Sequence, residues 1–312
     1  MDLKPSENTN LFGMDSFFNE IISLHKKKTM PNKILLSGKK GLGKSTMAYH
    51  VINYILSTSE DFTYDLNRFI INKENKSFKL LQNNSHPNFY TIDILDDKKN
   101  IDVNQIREMI TYTNKSTFNN LERFILIDNI ENLNKNSVNA LLKVTEEPNE
   151  NIFFILINNS EKSILPTLKS RCLTFKINLT FNQTISVTNN ILNENIFDLI
   201  NYDLINYYNT PGEIVNLVNF SKDQRVDLKN YTLIKLLNLL IDNAYYKKNK
   251  YVKNLLVDLI ELFFLKEYKL SNVKSSLINF YHKFVNKINN AEKFNLDEES
   301  LFLEFKSKLL ND

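Results

Sequence analysis

Eight residues carry the plainest chemistry in this sequence: Gly38-Lys39-Lys40-Gly41-Leu42-Gly43-Lys44-Ser45 fits G-x-x-x-x-G-K-[ST], the spacing of a loop that wraps phosphate. Glycine has no Cβ and tolerates positive φ. Gly38, Gly41 and Gly43 therefore let consecutive backbone N–H groups curl around an anion at the positive end of a helix dipole. Lys44 would reach the β- and γ-phosphates, and the hydroxyl of Ser45, next to Thr46, would take a place on Mg²⁺. Three of the chain's five glycines fall in these positions, which argues against the other reading, a glycine-rich turn before a lysine-bearing helix.

A second candidate closes the apolar run Arg123-Phe124-Ile125-Leu126-Ile127-Asp128. An acid that ends a strand of an α/β sheet lies at the carboxyl edge, where ligands bind. Asp128 is thus the candidate Mg²⁺ carboxylate of the same site, with an ordinary strand-terminal Asp as the alternative.

These residues need elements to hold them. Residues 34–37 are apolar or small and read as a buried strand entering the loop, and residues 45–56 carry apolar side chains at helical spacing. Residues 8–31 hold an amphipathic stretch, 17–24, then a basic turn, His25-Lys26-Lys27-Lys28, read as solvated rather than phosphate-binding. Residues 57–84 are polar and irregular and read as an exposed excursion. Residues 89–93 make a second strand, introduced by Ser85-His86-Pro87-Asn88. Asp102 caps a helix from Val103 to about Asn114, with Ile106, Met109 and Ile110 on one face.

Asn134 or Asn136 caps a helix bearing Val138, Leu141, Leu142 and Val144, which stops at Glu146-Glu147-Pro148 because the residue before proline disfavours αR. Residues 152–157 are a buried strand ending in Asn158-Asn159. From Ile164 a short helix and a last strand follow. Strands alternating with helices at this interval predict an α/β fold with a parallel sheet covered on both faces. Beyond about Lys176 only helical patterns persist. Residues 177–220 read as a small unit with a helix starting at Thr210-Pro211-Gly212-Glu213, and 223–312 as a longer helical domain. There Phe263, Phe264 and Tyr268 fall at core spacing, which favours packing over base stacking.

At 312 residues the chain has room for two or three domains, and a net charge of +3 is too small to argue for nucleic acid by itself. The single cysteine, Cys172, excludes an intramolecular disulfide and a multi-cysteine zinc site. His25, His50, His86 and His282 are scattered, so no zinc and no metal beyond nucleotide-bound Mg²⁺ is expected. The first residues are polar and carry both charge signs, unlike a signal peptide. No apolar run approaches the ~18 residues of a membrane span, and a cytoplasmic location without membrane contact is expected.

Taken in order, Gly38 to Ser45, Ser85-His86-Pro87-Asn88, Asn139-Ala140-Leu141-Leu142-Lys143-Val144-Thr145-Glu146-Glu147-Pro148 and Leu165-Pro166-Thr167-Leu168-Lys169-Ser170-Arg171-Cys172 support a family name. The chain resembles the bacterial clamp-loader AAA+ proteins, over about residues 10–176 by motif and beyond that only by helical character. The resemblance implies an AAA+ P-loop core (1–176), a small helical lid (177–222) and an all-α collar (223–312) through which five subunits form an open ring. It implies ATP or ADP with Mg²⁺ as ligand, Asn158 or, as preferred here, Asn159 as a polar sensor of the γ-phosphate, and further loader subunits, the sliding clamp and primed DNA as partners. It also gives Arg171 a role as the finger that reaches a neighbouring subunit's ATP.

The departures from the family pattern bear on activity. In hydrolysing relatives a glutamate follows the strand-terminal acid and positions the attacking water; here Asn129 follows Asp128, and Glu131 lies three residues beyond it. Asparagine orients a water but cannot accept its proton. The lid position of the active relatives' arginine holds Gly212, and their four-cysteine zinc module cannot form. The expectation is a ring subunit that holds nucleotide at most weakly, donates Arg171 in trans and hydrolyses little ATP. An ATP-hydrolysing motor subunit and a small-molecule P-loop kinase are the alternatives.

Overall fold

In the computed structural model, which describes residues 4–95, 98–115, 121–146, 151–160, 162–248, 250–270, 274–294 and 296–310, each apolar run expected to be a strand forms one. β1 (Lys33–Ser37), β2 (Phe89–Ile92), β3 (Arg123–Ile127), β4 (Ile152–Asn158) and β5 (Leu173–Lys176) lie in the order β2-β3-β4-β1-β5, every neighbouring pair parallel. β3 and β4 are buried along their whole length, as strands covered on both faces must be. Their period of two splits the core. Phe124, Leu126 and Ile155 pack with Phe18, Met47 and Val51 on one face; Ile125, Ile127 and Leu156 pack with Ile106, Met109 and Leu141 on the other.

The helices that cover the sheet are α1 (Asp15–Lys26), α2 (Lys44–Leu56), α3 (Lys76–Gln82), α4 (Val103–Thr113), α5 (Lys135–Glu146) and the single turn α6 (Pro166–Lys169). Local chemistry sets their ends. Asp102 caps α4 reciprocally with Gln105, and buried Arg123 closes its other end by donating to the carbonyls of Tyr112 (3.1 Å), Thr113 (3.2 Å) and Lys115 (3.0 Å). Of the two asparagines offered as the α5 cap, Asn134 is the one used, its Oδ1 accepting from Ser137 N at 2.9 Å. The stop expected at Glu147-Pro148 lies outside the described residues. The basic turn is exposed at Lys26, Lys27 and Lys28.

Residues 57–84 differ from expectation. They bury Tyr64, Ile71, Phe78 and Leu81, and they contain α3, capped by Asn75. Asn75 is itself fully buried: it accepts from Phe78 N (2.7 Å) and Asn53 Nδ2 (3.0 Å) and donates to Phe62 O (2.7 Å). The apolar residues here are held by turns rather than by one helical period, and asparagines that read as solvated are structural.

Two compact units result: residues 1–187 with 210–212, and residues 188–209 with 213–312. The chain past β5 contributes α7 (Phe181–Leu192), α8 (Ile196–Leu199), α9 (Pro211–Gln224), α10 (Leu233–Asp242), α11 (Tyr245–Lys248), α12 (Lys250–Leu270), α13 (Lys274–Phe294) and α14 (Glu299–Leu309). In the second unit Phe263 and Phe264 are buried against Phe305, with ring centroids 5.5 and 5.7 Å apart. Tyr268 is exposed instead. It shares the register of Phe264 but lies in the last turn of α12. Among the described residues no helix is long and apolar enough to cross a membrane.

Candidate nucleotide-binding site

Because all five strands run the same way, every residue that follows a strand shares one edge of the sheet. The register aligns Ser37 with Asn158, Leu156 with Ile127, and Ile127 with Ile92. Gly38, Asp93, Asp128 and Asn159 therefore emerge side by side at the carboxyl edge.

The loop after β1 needs its glycines for different reasons. Gly41 and Gly43 have φ of +82° and +90°, a region costly for residues with a Cβ. Gly38 needs space: a Cβ there would lie 2.3 Å from the carbonyl oxygen of Ile177. α2 then starts at Lys44, whose backbone N–H groups and dipole face the loop. The Lys44 ammonium donates to Gly38 O (2.8 Å) and Lys39 O (2.7 Å), so the loop's own carbonyls hold the charge inside it. Thr46 Oγ1 accepts from Asn8 Nδ2 at 3.4 Å.

Ser45 Oγ donates to Asp128 Oδ2 across the helix–strand gap. A hydroxyl and a carboxylate beside a phosphate-binding loop are hard oxygen donors, the set that suits Mg²⁺ on a nucleotide. Ser45 and Asp128 would hold the ion, which would supply charge neutralisation on the phosphates. Asn159 Nδ2 donates to Asp128 Oδ1 (3.1 Å) and Asn129 Oδ1 (2.8 Å), which brings the expected sensor position beside the expected acid. Asn158 instead donates to Ser37 Oγ at 3.2 Å.

One member of this cluster escaped the sequence reading. Asp93 follows β2 and accepts at Oδ1 from Asn129 Nδ2 (2.6 Å) and from Ile94 N (2.7 Å). Surrounding protein and the charge of Asp128 raise its carboxyl above the usual range, while the two hydrogen bonds and Lys40 oppose the rise. Tyr49, raised chiefly by burial, feels both acids as well.

Arg171 is not brought to this cluster. It is exposed in the turn before β5, and its Nη1 donates to Thr167 O at 2.9 Å. β5 pairs Leu173 with Ile34 and Lys176 with Ser37, so Arg171 precedes the strand at the amino edge of the sheet while the loop follows β1 at the carboxyl edge. The four residues between span ~13 Å. Neighbouring Cys172 is a thiol that burial pushes up to about 11, so it is no nucleophile.

Comparison with known proteins fixes the family. The sequence profile described as DNA polymerase III, delta subunit matches residues 13–180, more than half of the chain. The chain belongs to this DNA polymerase III delta subunit family. It is 28% identical over 288 residues to DNA polymerase III subunit delta' of Buchnera aphidicola subsp. Schizaphis graminum (strain Sg), covering 87% of this chain and 84% of the relative. It is 30% identical over 138 residues to the subunit delta' of Pseudomonas aeruginosa PAO1, covering 44% and 40%. Against subunit gamma of the same Buchnera the identity is 34% over 146 residues, covering 46% and 38%. Among solved structures, a DNA polymerase III gamma subunit-related protein of Thermotoga maritima aligns at 14% identity and a TM-score of 0.47, covering 92% of this chain and 97% of that one.

Within this family member the departures seen in the sequence take physical form. Asn129 has φ +54°, a conformation asparagine adopts more readily than glutamate does. Glu131, three residues past Asp128, accepts from the backbone N–H of Asn159 at 3.0 Å, a structural bond within the edge. Gly212 touches the phosphate-binding loop through its backbone: its N–H donates to Gly41 O at 2.9 Å, and a Cβ there would lie 2.7 Å from Gly41 Cα. A side chain at 212 has no room while that contact stands.

Proposed function

We propose that this chain is a delta-prime-like subunit of the DNA polymerase III clamp loader, binding ATP or ADP with Mg²⁺ at most weakly and supplying Arg171 as an arginine finger to a neighbouring ATPase subunit. Its partners are then gamma/tau-type and delta-type subunits in a five-membered ring, and through the complex the sliding clamp and primed DNA, in the cytoplasm. On this reading the core ends near residue 176, a lid runs to about 222, and the helices after it form the collar.

The observation that carries the reading is the separation of Arg171 from the chain's own loop. An exposed guanidinium at the amino edge serves a nucleotide on another molecule better than one at its own carboxyl edge. Weak turnover is supported by Asn129 in the place of an acid and by Lys44 already engaged with loop carbonyls. An ATP-hydrolysing gamma-type subunit is the second reading, favoured by the 34% identity to such a relative and disfavoured by Asn129 and Gly212. Turnover of labelled ATP by the isolated chain tests the choice. The proposal expects slow hydrolysis; brisk hydrolysis that Asn129→Ala abolishes would overturn it.

A further inference from the structure

We propose that the cleft between α9 and α12 in the second unit is a docking site for a protein segment that carries an aliphatic side chain beside a lysine or arginine.

The cleft is written into the helical pattern. Leu255, Asp258, Leu259 and Leu262 follow the i, i+3, i+4, i+7 spacing, so one stripe of α12 holds three leucines and a carboxylate. Glu213, Ile214 and Leu217 give α9 a stripe of the same kind. Together with Leu204, Asn206 and Asn209 these stripes line a shallow cleft of about 330 Å³ counted out to solvent. Its leucines and Ile214 are buried, and Glu213 and Asp258 are half-buried. An apolar floor with a few converging polar groups is how proteins hold part of a ligand.

Beside the cleft stands a turn that displays two aromatic rings. Asn206 N donates to Asn209 Oδ1 (2.7 Å), Tyr208 N to Asn206 Oδ1 (2.6 Å) and Asn209 N to Asn206 O (3.2 Å), which fixes the backbone around Tyr207 and Tyr208. The two tyrosines stay 63% and 72% exposed. Tyrosines on a fixed backbone beside an apolar cleft are the anchors that protein interfaces favour.

Charge chooses the occupant. The lining holds two carboxylates and, among the described residues, no basic side chain. The nearest lysines along α12 on either side are engaged with other acids, Lys253 with Glu298 at 2.6 Å and Lys266 with Asp203. Asn209 Nδ2 donates to Glu213 Oε2 at 3.0 Å and orients that carboxylate. Such a lining repels the phosphates of a nucleic acid, so the exposed rings do not serve as a base-stacking platform. It attracts a cation, which the faces of the tyrosines also stabilise. The partner's aliphatic side chain fills the cleft, and the ammonium or guanidinium next to it meets Glu213 and Asp258.

The test uses the full chain labelled at its leucine and isoleucine methyl groups and titrated with N-acetyl-leucyl-arginine amide, with N-acetyl-leucyl-glutamate amide and a short oligothymidine as contrasts. The arginine dipeptide should shift the methyl signals of Ile214, Leu217, Leu255 and Leu259 saturably. Glu213→Gln/Asp258→Asn, which keeps both side-chain shapes, should weaken that binding about fivefold, and high salt should weaken it likewise. Tyr207→Ala/Tyr208→Ala, at exposed positions, should weaken it about threefold. The glutamate dipeptide and the oligothymidine should leave the same signals unmoved. No saturable shift with the arginine dipeptide would overturn the proposal, as would an equal response to the glutamate dipeptide or a response to the oligothymidine.

Discussion

An arginine placed at position 212, at the start of α9, should damage this protein rather than activate it. In Gly212→Arg the new Cβ would stand 2.7 Å from Gly41 Cα and 3.1 Å from Gly41 O. Carbon atoms pack at about 3.5–4 Å, so one backbone must give way by roughly 0.8 Å or more. Overpacking of that kind costs ~1–3 kcal/mol. Loss of the 2.9 Å bond from Gly212 N to Gly41 O adds ~0.5–1.5 kcal/mol. If the loop yields, even ~2 kcal/mol weakens nucleotide binding about thirtyfold. If the start of α9 yields, the same energy leaves the folded state. Titration with a fluorescent ATP analogue and urea denaturation separate the two routes, and Gly212→Ala isolates the Cβ from the guanidinium. Gly212→Arg binding ATP more tightly than wild type at unchanged stability would refute the reasoning.

Two further outcomes follow from buried groups away from the site. His50 is fully buried between Tyr64 Oη (2.9 Å) and Asn8 O (3.1 Å), and burial lowers its pKa from 6.5 to about 4. The unfolded chain takes up the proton first, so this contribution is complete above about pH 6.5, is lost as pH falls to about 4, and is flat below; it amounts to ~3 kcal/mol. Urea denaturation at pH 7, 5 and 4 should show that loss, and a His50→Gln variant with the same pH slope would contradict it. Arg123→Ala strips the carbonyls of Tyr112, Thr113 and Lys115 of their buried donor and should cost ~2–4 kcal/mol by the same method. A loss under ~0.5 kcal/mol would show that α4 closes without it.

What the sequence revealed and what it hid divide along physical lines. The phosphate-binding loop was legible because its constraints are local: glycines needed for φ and space, a lysine, a hydroxyl and a helix start lie within eight residues. Asp128 was legible because an apolar run ending in an acid states both its strand and its edge. Asp93 ends a run of the same kind, yet its pairing with Asn129 depends on β2 lying next to β3, which strand order alone decides. The segment 57–84 reads as irregular because its order comes from a buried asparagine pair and turns rather than from periodicity. The sequence gives no sign of the close approach at Gly212, since the backbone contact with Gly41 spans a long stretch of chain. The role proposed for Arg171 rests on a motif; its place at the opposite edge from the loop comes from the register of β5.

The most direct test is the DNA-stimulated ATPase of the reconstituted loader carrying Arg171→Ala in this subunit alone. Removing a trans arginine that stabilises charge on the γ-phosphate is expected to lower the neighbour's hydrolysis by a large factor, on the order of 10³–10⁵ at that site, with assembly of the complex intact. A complex that assembles and hydrolyses ATP at the wild-type rate without the Arg171 guanidinium would contradict the account.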